Sequence, residues 1–174
     1  MSKLTIIEIP DPRLKVKAEP VERVDESVVR LMEDMLETMY AAPGIGLAAP
    51  QVGVSRRVIV ADIAPEGAPR APLRMANPEV LWASGEIQVS NEGCLSVPEQ
   101  YADVERPRRI RVRYLDHRNE TREMEAANML ATVILHEMDH LDGVLFVDRI
   151  SKLKRDIVLR RLFKARRTKQ PSAL

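Results

Sequence analysis

One cysteine in 174 residues, Cys94, excludes an intrachain disulfide and leaves that side chain as either a small buried hydrophobe or a functional thiolate. Aromatic residues are scarce at 3%, so a core must rest on Leu, Ile, Val, Met and Ala. No apolar run approaches the length that spans a bilayer, and Met1 to Pro10 lacks the basic start and apolar stretch of a signal peptide. A cytoplasmic protein with no membrane partner is expected. Neither charge sign dominates the whole chain, whose formal net charge is +1, yet the balance is uneven. From Ser151 onward there are nine Lys or Arg and one acid, a segment of +8 on a body of −7. Such a segment suits an anionic partner, or equally a solvated helix.

What is present fits a globular chain: 45% apolar and 30% charged residues, without internal repeat, linker or low-complexity segment. Asp25 to Tyr40 reads as an amphipathic helix, with Val28, Met32, Met35 and Met39 inward. Ala41 to Gly46 ends it, because Pro43 and the glycines break the pattern. Arg57 to Asp62 is a short β-branched strand, Ala64 to Pro72 a surface loop, and Pro78 to Trp82 and Glu86 to Ser90 are strand-like. Arg109 to Leu115 alternates, with Ile110, Val112 and Tyr114 on one face and three arginines on the other. Asp116 to Asn119 turns it into a return strand ending near Glu125, so the pair reads as a hairpin with solvated arginines. Asn128 to Leu141 is the most apolar helix, closed by Gly143, and belongs in the middle of a domain.

That helix carries His136-Glu137-Met138-Asp139-His140. Residues four apart share a helix face, so His136 and His140 can direct two imidazole nitrogens at one cation, with Glu137 beside them as a base. The pattern arises by chance on the order of 0.005 times in a chain of this composition, which disfavours a pair of ordinary core histidines. A catalytic metal of this kind takes a third protein ligand and leaves a position for water. The extended protease motif would need a histidine where Phe146 stands, and no Glu follows Glu137, so both common metalloprotease solutions are missing. The third ligand must come from Asp142, Asp148, Asp156 or upstream. His117 falls in a turn expected to be exposed. Cys94, beside Gly93, is the better candidate, since a thiolate is a strong ligand for zinc or ferrous iron.

Three segments, Gly44-Ile45-Gly46-Leu47-Ala48-Ala49-Pro50-Gln51, Glu92-Gly93-Cys94-Leu95-Ser96 and His136-Glu137-Met138-Asp139-His140, together resemble the three motifs of the peptide deformylase family, in order and approximate spacing. The resemblance runs from Ile9-Pro10-Asp11-Pro12-Arg13-Leu14 to the basic C-terminal helix. It implies an α+β fold, with short antiparallel or mixed β-sheets around a central metal-binding helix and further N-terminal and C-terminal helices. A single catalytic domain, 1–174, is expected, of which 151–174 is the basic helix and tail. The implied reaction is hydrolysis of the N-formyl group from the N-terminal formylmethionine of newly synthesised polypeptides, with release of formate.

The resemblance also implies roles. Cys94, His136 and His140 would hold one divalent ion, natively Fe(2+), with Zn(2+), Ni(2+) or Co(2+) able to substitute. Glu137 would move the proton, and the Gln51 amide and the Leu95 backbone N–H would meet the charge developing on the formyl oxygen. Ile45, Met129, Thr132 and Val133 would line the methionine pocket, while Ile45, Gly46 and Gly93 offer backbone groups to the peptide. The basic helix, with Val158, Leu159, Leu162 and Phe163 opposite Arg160, Arg161, Lys164 and Arg167, would dock on the ribosome, or simply pack with a solvated outer face. No DNA partner is expected.

Two departures from the family pattern stand out. Leu135 replaces the usual Gln before the His-Glu pair, touching the surroundings of the ligands rather than the ligands. Ala42-Pro43 replaces the acid that often precedes the first glycine motif, so Arg106, which could pair with such an acid, is expected to lack that partner. Two other readings compete: a general metallopeptidase, and a non-catalytic ribosome-binding paralogue. The missing downstream ligand speaks against the first, and the intact Cys94, Gln51, His136, Glu137 and His140 against the second.

Overall fold

A computed structural model describes residues 2–169; positions 170–174 of the expected basic tail lie outside the described residues. Helix α1 spans Glu26–Ala41 and starts where the Asp25 carboxylate accepts from the Val28 N–H at 3.1 Å. Its buried stripe is Val28, Met32, Met35, Leu36 and Met39, the face expected from the periodicity. Strands β1 (Gly46–Ala48), β2 (Val58–Ala61), β3 (Leu73–Ala83), β6 (Arg109–Leu115) and β7 (Thr121–Ala127) form an antiparallel sheet in the order β1-β2-β3-β6-β7. Strands β4 (Ile87–Cys94) and β5 (Val97–Pro107) pair separately as a two-stranded antiparallel sheet. Helix α2 spans Met129–Leu141 and α3 spans Lys152–Lys169.

Alternation places the core on both faces of the large sheet. Val58 and Val60 face the methionines of α1, whereas Ile59, Met75, Ile110 and Val112 pack on Ala131, Ile134 and Leu141 of α2. All four residues of β2 are therefore buried, which is why it reads as a continuous apolar run. A third cluster, including Val97, Val104, Phe146, Val158 and Leu162, joins the small sheet to α3. Helix α2 thus packs on β1, β2 and β7 from one side and on β5 from the other, the central position expected for it.

The C-terminal end of α2 is tied down twice. The Leu141 carbonyl accepts from Ala18 N at 2.8 Å and from the Arg57 guanidinium at 3.0 Å, a cation at the negative end of the helix. Gly143 turns the chain at φ 73°, and a Cβ there would stand 2.4 Å from the Lys15 carbonyl oxygen. Among the described residues no helix is long and apolar enough to cross a membrane.

Four strands differ from expectation, among them β1, whose three residues follow a Gly- and Pro-rich turn and are too few to show alternation. β3 begins at Leu73 and passes through Pro78 by a register shift at Asn77, whose φ is 48° and whose amide holds Val21 through both its backbone groups. β4 continues past Ser90 to Cys94. β5 was not expected, because Pro98, Pro107 and an inward Arg106 break the apolar alternation that marks a strand.

Candidate metal centre

Cys94 ends β4, and His136 and His140 lie one turn apart on α2; one ligand atom from each falls within 4.8 Å of the others. Cys94 Sγ stands 3.3 Å from His140 Nε2. The rival third ligands are engaged elsewhere: Asp142 pairs with Arg57, Asp148 with Lys15, and Asp156 is exposed. His117 is exposed in its turn, as expected. One thiol and two imidazoles make a borderline-soft donor set suited to zinc or ferrous iron.

Around these ligands lies a chain of buried charge. His136 Nδ1 meets Glu92 Oε1 at 2.8 Å, and Glu92 takes a two-pronged pair from Arg106 at 2.6 and 2.8 Å. Arg106 also donates to Asp139 at 3.0 Å, and Asp139 accepts from Arg149 at 2.6 and 3.1 Å. With Ala42-Pro43 before the glycine motif, Arg106 has no acid there, as expected, and is satisfied instead by Glu92 and Asp139. Burial pushes the Glu92 carboxyl up, but Arg106 and His136 outweigh it and hold its pKa below the ordinary value. Sequence reading gave Glu92, Asp139 and Arg149 no role and did not pair Arg106 with them. An acid beside the Gly-Cys pair and another inside the most apolar helix were the available signals. Leu135 packs in the apolar cluster beneath the large sheet, away from this chain of charge.

Glu137 is buried, and burial pushes its pKa up to about 7. Its Oε2 and His140 Nδ1 are the buried side-chain polar atoms without a protein partner among the described residues, and both belong to the His-Glu-x-x-His helix. An orphaned buried oxygen costs about 1–3 kcal/mol and is expected only where another occupant is served. Burial would keep His136 neutral, but its contacts with Cys94 and Glu92 and the Glu137 charge hold its pKa well above the ordinary value. His140, buried and next to His136, is pushed well below.

Gln51 sits on a 3-10 turn, Ala49–Val52. Its Oε1 accepts from Ala48 N at 2.9 Å, which turns Nε2 toward Ser96 Oγ at 3.1 Å and Cys94 Sγ at 3.5 Å. Leu95 lies in the turn between β4 and β5 and lines the same cleft, with its side chain against Gly44. The N-terminal segment links both loops, Ile7 N donating to the Gln51 carbonyl and Ile9 N to that of Ser96, at 2.8 and 3.0 Å.

Two connected cavities meet at His136 and Glu137. The outer cleft is lined by Ile45, Gly46, Gly93, Leu95 and Tyr101 among others. The inner one, of about 310 Å³, is lined by Ile45, Met129, Thr132, Val133, Ser90 and Gly93, together with the polar Asn91 and Glu92. All six residues expected to meet substrate therefore border one or the other. Ser90 was missed, since nothing in the sequence says which face of β4 turns toward α2. A Cβ on Gly46 would lie 2.5 Å from Glu137 Oε1, and one on Gly93 would lie 2.5 Å from the Tyr101 ring. At Gly46 the neighbour is the buried Glu137 carboxylate, so the absent side chain permits the approach; at Gly93 it is the exposed Tyr101 ring.

Residues 3–156 match the family model described as polypeptide deformylase. A peptide deformylase of Phenylobacterium zucineum is 54% identical over 159 residues, covering 91% of this chain and 94% of that protein. A crystal structure of peptide deformylase from Ehrlichia chaffeensis superposes with a TM-score of 0.91 at 40% identity, covering 96% and 98% of the two chains. A second structure of that enzyme, in complex with actinonin, gives 0.89 at 41% identity, covering 95% and 98%.

Proposed function

The chain belongs to the polypeptide deformylase family, metal-dependent hydrolases that remove the N-formyl group from an N-terminal methionine, and from that premise we propose how its own residues divide the work. The carrying observation is the convergence of one sulfur and two imidazole nitrogens within 4.8 Å, beside a buried glutamate whose second oxygen has no protein partner among the described residues.

Cys94, His136 and His140 hold one divalent ion, ferrous iron in the native enzyme, with zinc, nickel or cobalt as substitutes. When bound, such an ion would supply Lewis acidity, making hydroxide available from water near neutral pH. Glu137 takes the proton from the attacking water and delivers it to the departing amine as the C–N bond breaks and formate leaves. The Gln51 amide, held by Ala48, and the Leu95 N–H donate to the oxygen on which negative charge develops. Glu92, itself anchored by Arg106, fixes the ring of His136. Met129, Thr132, Val133 and Ile45 receive the methionine side chain, and backbone groups of Ile45, Gly46 and Gly93 align the peptide.

Residues 1–174 act as one catalytic domain working on nascent chains in the cytoplasm. Helix α3 favours docking on ribosomal RNA: it buries Val158 and Leu162 and leaves Arg160, Arg161, Lys164 and Arg167 exposed.

Protein purified anaerobically should contain about one metal ion per chain and release formate from formyl-Met-Ala-Ser. Glu137→Ala should keep the metal and lose on the order of 10²–10⁴ in rate. Unchanged turnover in that variant would refute Glu137 as the base.

A further inference from the structure

The inner cavity is not uniformly apolar. Thr132 lies one helical turn before His136, and Ser90 four residues before Cys94, so both belong to the elements that carry the ligands. Their hydroxyl oxygens are 3.3 Å apart across the seam between β4 and α2, and both residues line the cavity. Gln88 stands behind them, its amide nitrogen donating to Thr132 Oγ1 at 2.9 Å and to the Asn128 carbonyl at 2.8 Å.

Counting hydrogens shows what this group can offer. The Gln88 amide spends both of its hydrogens on those two bonds. The Ser90–Thr132 bond consumes one hydroxyl hydrogen. The other has no protein acceptor among the described residues, whichever hydroxyl carries it. A donor thus remains beside the apolar wall of Ile45, Met129 and Val133, in a cavity whose other side is lined by Asn91, Glu92, Gly93, His136 and Glu137. A thioether is a weak acceptor and uses such a donor little. A sulfoxide oxygen is a strong one, and burying it in a wholly apolar slot would cost several kcal/mol.

We propose that this pocket also takes formyl-methionine sulfoxide, with the Ser90–Thr132 hydroxyl pair donating to the sulfoxide oxygen. The inference rests on the deformylase reading and extends it to nascent chains whose initiator residue has been oxidised. The chemistry at the formyl carbon is unchanged: water adds, the C–N bond breaks, and formate and the free amine of methionine sulfoxide leave. Because the donor lies on one wall and the sulfoxide sulfur is chiral, one epimer is preferred.

The test compares kcat/KM for formyl-Met-Ala-Ser and for each separated epimer of formyl-Met(O)-Ala-Ser on the metal-loaded enzyme. The better epimer should be turned over within about 30-fold of the thioether substrate. In Ser90→Ala/Thr132→Val the ratio of sulfoxide to thioether should fall by at least about fivefold, the lower end expected for a lost buried donor. That ratio is independent of the fraction of active enzyme, and Ser90→Ala and Thr132→Val alone should each move it in the same direction. Discrimination above about 30-fold against both epimers, or a smaller change of ratio in the double variant, overturns the proposal. Failure of the wild-type enzyme to release formate from formyl-Met-Ala-Ser overturns the underlying reading and the proposal with it.

Discussion

Gly46 and Arg106 show how little room single residues have at this site. The missing side chain of Gly46 is what lets β1 lie against Glu137, since a Cβ there would meet Glu137 Oε1 at 2.5 Å and Val133 Cγ1 at 2.9 Å. Gly46→Ala should therefore displace the carboxylate rather than the metal ligands. Moving a catalytic group by about an ångström costs on the order of 100-fold in rate. Formate release should fall by at least that much while metal content stays the same; parallel loss of metal would show that the ligands had moved instead. Arg106 serves stability more directly. It is 4% exposed and bridges Glu92 and Asp139, so Arg106→Ala leaves Glu92 buried with His136 alone and Asp139 with Arg149 alone. Breaking such a buried pair destabilises by about 3–5 kcal/mol. Arg106→Lys should recover only part of it, because an ammonium cannot reproduce the two-pronged contact with Glu92. Denaturant unfolding of the three proteins measures this, and equal stability of wild type and Arg106→Ala would contradict it.

Among the elements, the β6–β7 hairpin depends on a turn built by one acid. Asp116 accepts from the Arg118 and Glu120 N–H groups at 2.8 and 3.0 Å and from the Arg122 guanidinium at 2.9 Å. Burial pushes its pKa up, but these bonds outweigh burial and hold it at about 2, below the ordinary 3.8. A carboxyl whose folded-state pKa is depressed stabilises fully above its unfolded value and loses that contribution as pH falls through the folded one. Asp116→Asn should thus be less stable than wild type by about 2 kcal/mol near neutrality. The gap should close between about pH 4 and pH 2. Urea unfolding at several pH values reads it directly, and a gap independent of pH would exclude the mechanism.

The elements also show where sequence reading succeeds. α2 was legible because two histidines four apart on an apolar helix have one economical explanation, and β6 because its arginines and aliphatics alternate without a break. β5 was not legible: its inward position at Arg106 carries a charge, satisfied only by Glu92 on the neighbouring strand and Asp139 on α2. That arrangement depends on contacts 14 and 33 residues apart, which no local pattern encodes. Cys94 could be reached from its neighbours, whereas its relation to Ser96 and Gln51 needed the fold.

At the scale of the molecule, the metal centre is a seam rather than a core. Three apolar clusters stabilise the chain: between α1 and the large sheet, between that sheet and α2, and between the small sheet and α3. His136 and His140 belong to none of them, and Cys94 only flanks the third. The ligands are instead positioned by polar contacts, Glu92 on His136 and Gln51 on Cys94, that join elements already packed. Metal removal should then leave the secondary structure intact, unlike domains that fold only around their ion. It should still lower stability, because an ion bound only by the folded state stabilises it by mass action, about 4 kcal/mol at a thousandfold excess over Kd. For a chain of this size that corresponds to a fall in Tm of roughly 10 °C on chelation. Far-UV circular dichroism should change little, formate release should cease, and reloading with ferrous iron or zinc should restore both Tm and turnover. Collapse of the helical signal on chelation would mean that the ion organises the fold. An unchanged Tm would mean that Cys94, His136 and His140 do not bind it.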